Sequence, residues 1–222
     1  MKSRLYQFVS SPFCAKARKV LDYKGVDYET VEIDYLERKE LLLVSGQLMV
    51  PVVVFDNGET VADSDRIAMR LEELYPEPTI FPLDWRGVHL ALARYFDSEF
   101  EDIIFRAAIS DELAHYARQG RDREAFYRLI RERKYGAGFC DLAVADRAAN
   151  WKRLCERLAP LDETLTERAF LLGRIGYADF ALYGQLYYLA FTGELKIPAE
   201  YAALRAFFHR MDRISATLDP NA

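Results

Sequence analysis

At 222 residues, half of them hydrophobic, the chain has enough apolar material for one large or two smaller domains. Its net charge of −5, with both signs interspersed, gives no electrostatic footprint for a nucleic acid, and no apolar run approaches transmembrane length. Three cysteines at 14, 140 and 155 form neither an even disulfide set nor a metal-ligand spacing, which argues for a reducing compartment.

The first elements alternate. Leu5–Val9 reads as a short strand that runs into Ser11-Pro12, a helix N-cap followed by the residue best suited to the first helical position. Because Met1-Lys2-Ser3-Arg4 leads straight into this strand, no secretory leader is expected, and the cytoplasm is the default location. Cys14, Ala17, Val20 and Leu21 then recur at helical spacing up to the Gly25 stop, while Lys16, Arg18 and Lys19 read as a solvated face. Tyr28–Ile33 alternates as a strand, Glu37–Leu43 is a second helix, and Val52–Phe55 is a buried strand. Asp56-Asn57-Gly58 turns the chain into a return strand at Thr60–Ala62. A stripe of Ile67, Ala68, Leu71, Leu74 and Tyr75 makes a third helix that stops before Pro76. The order is β-α-β-α-β-β-α.

Prolines 76, 78 and 82 punctuate a linker, and everything beyond it reads as helix. The expected organisation is an α/β domain over residues 1–76, a linker over 77–84 and an all-helical domain over 85–222. Within the latter, a long helix from Asp84 carries Trp85, Val88, Leu92, Tyr95, Phe96, Ile103 and Ala107 on one face. A break at Gln119-Gly120 precedes a helix to Lys134, and Leu142–Arg168 forms another, bent at Pro160. Tyr177–Phe191 is apolar all round, as a central helix must be, and Ala203, Leu204, Phe207, Phe208 and Met211 form the last stripe.

Chemistry concentrates at the first helix start. Unpaired N–H groups and the helix dipole make that end electropositive, so a thiolate held beside Ser11 would be stabilised there. A free thiol has a pKa near ~8.5, and lowering it by about two units takes roughly 2.7 kcal/mol. One charge-assisted hydrogen bond from a hydroxyl gives about 1.5–3 kcal/mol and the helix end about 0.3–1 more. The rival sulfur is Cys14 itself, one turn deeper, as a redox thiol or as plain core. Val50-Pro51 is either a plain strand-edge proline or a cis bond that would turn the Val50 backbone outward to pair with an extended peptide. Asp63-Ser64-Asp65 opens the third helix, either as a simple cap or as a carboxylate site.

Together, Ser11-Pro12-Phe13-Cys14, Val50-Pro51, Asp63-Ser64 and the block from Leu171-Leu172-Gly173 through Tyr177–Leu182 resemble the glutathione S-transferase superfamily over nearly the whole chain. The resemblance implies a thioredoxin-like N-terminal domain, a helical C-terminal domain and glutathione as co-substrate, with no metal. It implies that Ser11 faces the glutathione sulfur, that Val50 pairs with the cysteinyl backbone beside cis Pro51, and that Asp63 and Ser64 hold the γ-glutamyl end. Gln47-Leu48-Met49 stands where many family members carry a basic residue for the glycine carboxylate, so Lys39 or Arg38 of the second helix is the expected substitute, with Gln47 also at the site. Gly176 stands where the family carries a hydroxyl N-cap opposite Asp179. Phe8, Val9, Phe105 and Tyr116 are the implied walls of the electrophile pocket. The implied protein is a cytosolic homodimer that conjugates glutathione to a small apolar electrophile, with glutathione-dependent cleavage or dehalogenation as variants. Its alternatives are a Cys14-dependent glutathionyl oxidoreductase and a catalytically silent glutathione binder.

Overall fold

The computed structural model describes residues 2–215, so Met1 of the expected leaderless start lies outside the described residues. The first half is a four-stranded sheet in the order β2-β1-β3-β4. Strand β1 (Ser3–Gln7) runs parallel to β2 (Tyr28–Glu32) and antiparallel to β3 (Val52–Val54), which pairs with β4 (Thr60–Ala62). Pairing with β2 sets the limits of β1: Ser3 opposes Tyr28 and Gln7 opposes Glu32. The strand therefore starts earlier than its apolar pattern suggests and ends before Phe8. Alternation along it divides the core. Leu5 and Val53 pack under helices α1 (Pro12–Tyr23) and α3 (Ser64–Leu74), whereas Tyr6 and Val52 meet Leu41 of α2 (Lys39–Ser45).

The second half is helical, and three of its expected elements divide differently. The long helix from Asp84 is two helices, α4 (Arg86–Tyr95) and α5 (Glu101–Gln119), joined by a π-helical turn at Phe96–Phe100. The wider turn rotates the buried face, so His89, Ala93, Phe96, Phe100 and Ile104 are covered while Trp85, Val88 and Tyr95 are exposed. After α6 (Arg121–Tyr135) the chain makes α7 (Phe139–Ala145) and then α8 (Arg147–Glu167), which keeps Pro160 inside it. The two are separated at Asp146, where Asn150 Nδ2 donates to the Ala143 carbonyl at 3.2 Å. The central helix α9 (Tyr177–Leu186) ends in a 3-10 turn at Tyr187–Leu189, and α10 (Ala202–Asp212) closes the bundle.

The basic face of α1 is not solvated. It packs against α9 of the helical half, and Lys16 is 1% exposed. Its Nζ pairs with Asp65 at 2.7 Å and with Asp97, which the π-helical turn delivers; Gln185 of α9 donates to Asp97 at 2.9 Å. Arg18 donates to Gln7 at 2.8 Å and lies over the Tyr187 ring, and Lys19 donates to the Asp212 carbonyl at 2.7 Å. Gly184 permits the approach of the two helices. A Cβ there would sit 2.6 Å from the Pro12 carbonyl oxygen, at the very start of α1.

Gly176 has an equally local cause. A Cβ at this position would lie 2.2 Å from His89 Cε1. The imidazole fills the place of a capping side chain, and its Nδ1 accepts the Ala178 N–H at 3.3 Å. Asp179 completes the cap by accepting from Gly176 and Leu171, each at 2.9 Å. Gly176→Ser should thus lower stability by about 2 kcal/mol through overpacking. Adding His89→Ala should recover most of that loss, because the new hydroxyl then finds room to cap. Thermal unfolding of both variants measures the pair.

Candidate active site

Ser11 is the N-cap of α1, with extended backbone (φ −77°, ψ 124°), and its Oγ accepts the Cys14 N–H at 3.3 Å. The Phe8 carbonyl takes the Ser11 N–H at 3.0 Å, which tightens the turn between β1 and α1. An Oγ that accepts from a backbone amide keeps its own proton free to donate, and the accepted bond polarises it. Capping and sulfur stabilisation are thus compatible roles for one hydroxyl.

Cys14 has a different environment. It is fully buried, lines none of the cavities near Ser11, and burial pushes its thiol up to about 11 against the pull of Ser11. Such a thiol is packed as core and is mostly protonated near neutral pH.

Two adjoining hollows meet at α1. The first encloses about 180 Å³ and is bounded by Phe8, Ser10, Ser11, Tyr35, Tyr116 and Tyr188 among others. The second, of about 390 Å³, is bounded by Phe13, Gln47, Val50, Pro51, Asp63, Ser64 and Arg66. Phe13, Met49 and Val50 line both. The Val50–Pro51 peptide is cis. Asp63 caps α3, accepting from Asp65 and Arg66 at 3.0 and 3.2 Å. It does so at φ 83°, a conformation that costs a non-glycine residue about 1–3 kcal/mol. Ser64, the first residue of α3, is 5% exposed.

The remaining expected residues scatter. Gln47 lines the second hollow, but its amide is occupied with the Met49 backbone, donating to the carbonyl at 2.7 Å and accepting from the N–H. Lys39 is exposed and borders neither hollow. Arg38 lines the first, donates to the Tyr35 and Leu48 carbonyls at 3.0 and 3.2 Å, and lies over the Phe8 and Tyr35 rings. Phe8 and Tyr116 are walls of the first hollow. Val9 is not: it faces a neighbouring groove beside Glu32 and Asp34, because β1 has already ended and the turn swings it out. Phe105 is fully buried and stacks on Phe139 below the Arg131 guanidinium.

Sequence reading misses Glu101, Glu112 and Arg131, three charged residues of the first hollow. On their own helices they look like ordinary wet positions, and only the seating of α5 and α6 against the β1–α1 turn brings them to the cavity. Among the described residues, no group of His, Cys, Asp or Glu could hold a metal ion, and no helix is long and apolar enough to cross a membrane.

Residues 5–79 match the family model described as glutathione S-transferase, N-terminal domain, and residues 88–195 the one described as glutathione S-transferase, C-terminal domain. A probable glutathione S-transferase of Nicotiana tabacum is 30% identical over 156 residues, which span 66% of this chain and 68% of that protein. The chain belongs to the glutathione S-transferase superfamily. Its fold is that of a glutathione transferase from Phanerochaete chrysosporium, at TM-score 0.78 and 21% identity over 96% of each chain. A glutathione S-transferase of Ceriporiopsis subvermispora crystallised in complex with glutathione superposes at TM-score 0.75 and 20% identity, over 96% of this chain and 98% of that one. Membership accords with the thioredoxin-like sheet followed by a helical bundle.

Proposed function

We propose that this member of the superfamily binds glutathione across the two hollows and transfers its sulfur to a small electrophile held in the first. The γ-glutamyl carboxylate sits on the α3 start at Asp63 and Ser64, and the cysteinyl backbone runs as an extra strand along Val50, whose N–H and C=O have no hydrogen-bond partner among the described residues. The sulfur then lies at Ser11. The observation that carries this reading is the Ser11 hydroxyl, which lines the first hollow, accepts from Cys14 and keeps its own proton free for a thiolate. In the transfer, the sulfur lone pair forms the C–S bond, and the leaving group departs with the electron pair of the bond it breaks. Phe8 and Tyr116 are the walls that would hold the electrophile.

The burial of Cys14 speaks against the disulfide-exchange alternative. Cys14→Ala is expected to keep conjugation of a generic aryl halide within about twofold, since the Cys14 N–H that binds Ser11 survives. A loss of turnover beyond tenfold with fold intact would favour the thiol mechanism instead. Calorimetry with reduced glutathione, followed by a screen of electrophiles, separates a transferase from a silent binder. We further propose that the enzyme works as a homodimer in the cytoplasm, with a second copy covering the exposed apolar Trp85, which caps α4, and Val88 and Tyr95 on it.

A further inference from the structure

Two charged groups in the first hollow have no role in the mechanism above. Glu112, on α5, is 1% exposed, and its Oε1 has no hydrogen-bond partner among the described residues. Arg131, on α6, faces the same space, and its buried Nε is likewise unpartnered. Three other cations of α6 are paired, Arg123 with Asp34, Arg128 with Glu124 and Asp141, and Lys134 with Glu101, whereas Arg131, which faces the cavity, has no ion pair among the described residues. It is held instead by rings, with Cζ 4.3 Å from the Phe105 centroid and 5.0 Å from that of Tyr127. Stacking fixes the guanidinium without neutralising it. Burial pushes Glu112 up to about 7, with Arg131 pulling the other way, so below neutrality the acid is uncharged and keeps a proton to donate. What remains is one half-buried positive charge without an ion pair and one buried acid, each with a buried polar atom that no protein group satisfies. Unsatisfied groups of this kind are costly unless a ligand completes them.

We propose that the electrophile taken by this cavity carries a carboxylate, which pairs with the Arg131 guanidinium and accepts a hydrogen bond from Glu112. The planar fork of a guanidinium matches a carboxylate, and a single unpaired cation matches its single charge better than that of a phosphate dianion. Arg38, the other guanidinium of the cavity, already donates to two carbonyls. The small volume, about 180 Å³, suits a compact acid rather than an extended one. The proposal rests on glutathione occupying the neighbouring hollow with its sulfur at Ser11, and it narrows the small electrophile to an anionic one, where an apolar one was expected.

Conjugates of glutathione test it without requiring turnover. At a pH just below neutral, S-(para-carboxybenzyl)glutathione should bind at least about tenfold tighter than S-benzylglutathione in calorimetry. Arg131→Met should bring the two within about twofold of one another, and Arg131→Lys should retain part of the difference. Glu112→Gln, which still donates, should keep most of the preference. Equal affinities in the natural protein, or a preference that survives Arg131→Met, would overturn the carboxylate site while leaving glutathione binding intact. Failure of both conjugates and of glutathione itself to bind would instead overturn the reading on which the site rests.

Discussion

Ser11→Ala is expected to cut glutathione conjugation about 10- to 100-fold at mildly acidic pH, with most of the loss disappearing at alkaline pH. The hydroxyl supplies one hydrogen bond to an anion, worth about 1.5–3 kcal/mol, whereas the helix end supplies only about 0.3–1. Removing the larger contribution raises the pKa of the bound thiol by about one to two units. At high pH the thiol ionises anyway, and rates of variant and natural protein should converge. Alanine also deletes the acceptor for the Cys14 N–H, a cap worth about 1 kcal/mol, so stability falls slightly as well. Pre-steady-state rates across pH separate the two effects, since only a change in thiol ionisation gives a pH-dependent deficit. A deficit that is constant from acid to alkaline pH would mean that Ser11 serves the helix alone.

Lys16→Met should destabilise the protein by about 3–5 kcal/mol, the largest stability loss expected from any single change here. The ammonium is 1% exposed and lies between Asp65 and Asp97, with the Tyr177 ring 5.3 Å away. Methionine preserves the stem but leaves Asp97 facing Asp65 across a buried gap without its cation. Asp65 also stands next to Asp63 and Ser64 at the α3 start, so glutathione affinity should fall together with stability. Denaturant unfolding combined with calorimetry tests the coupling. A loss below about 1 kcal/mol would show that the pair behaves as an exposed one.

The reason that Lys16 could not be read from sequence is instructive. On α1 it follows Pro12 and Cys14 at a spacing ordinary for a wet helix face, and its local pattern contains nothing unusual. Its burial is decided by α9, which comes close because residue 184 is glycine, and by a π-helical turn that aims Asp97 inward. The same holds for Gly176, whose apparent departure from a hydroxyl cap is resolved by His89 on another helix. Features written in adjacent residues were legible. The Ser11-Pro12 helix start, the Asn57-Gly58 turn and the Asp63 cap each depend on backbone groups within a few positions. The strands were legible from apolar runs, alternation and the turn between them, but the limits of β1 were set by its partners in the sheet. The hollow beside Ser11 was the least legible part. Its walls come from the β1–α1 turn, α5 and α6 together, and charged residues such as Glu112 and Arg131 reveal their burial only once those helices are packed.

The most direct test follows the ultraviolet absorbance of the thiolate as the glutathione complex is titrated with base. A hydroxyl and a helix end acting together should leave the bound sulfur half-ionised near pH ~6.5, about two units below a free thiol. A bound thiol that ionises at the same pH as glutathione in water would contradict the account, because Ser11 would then be holding nothing.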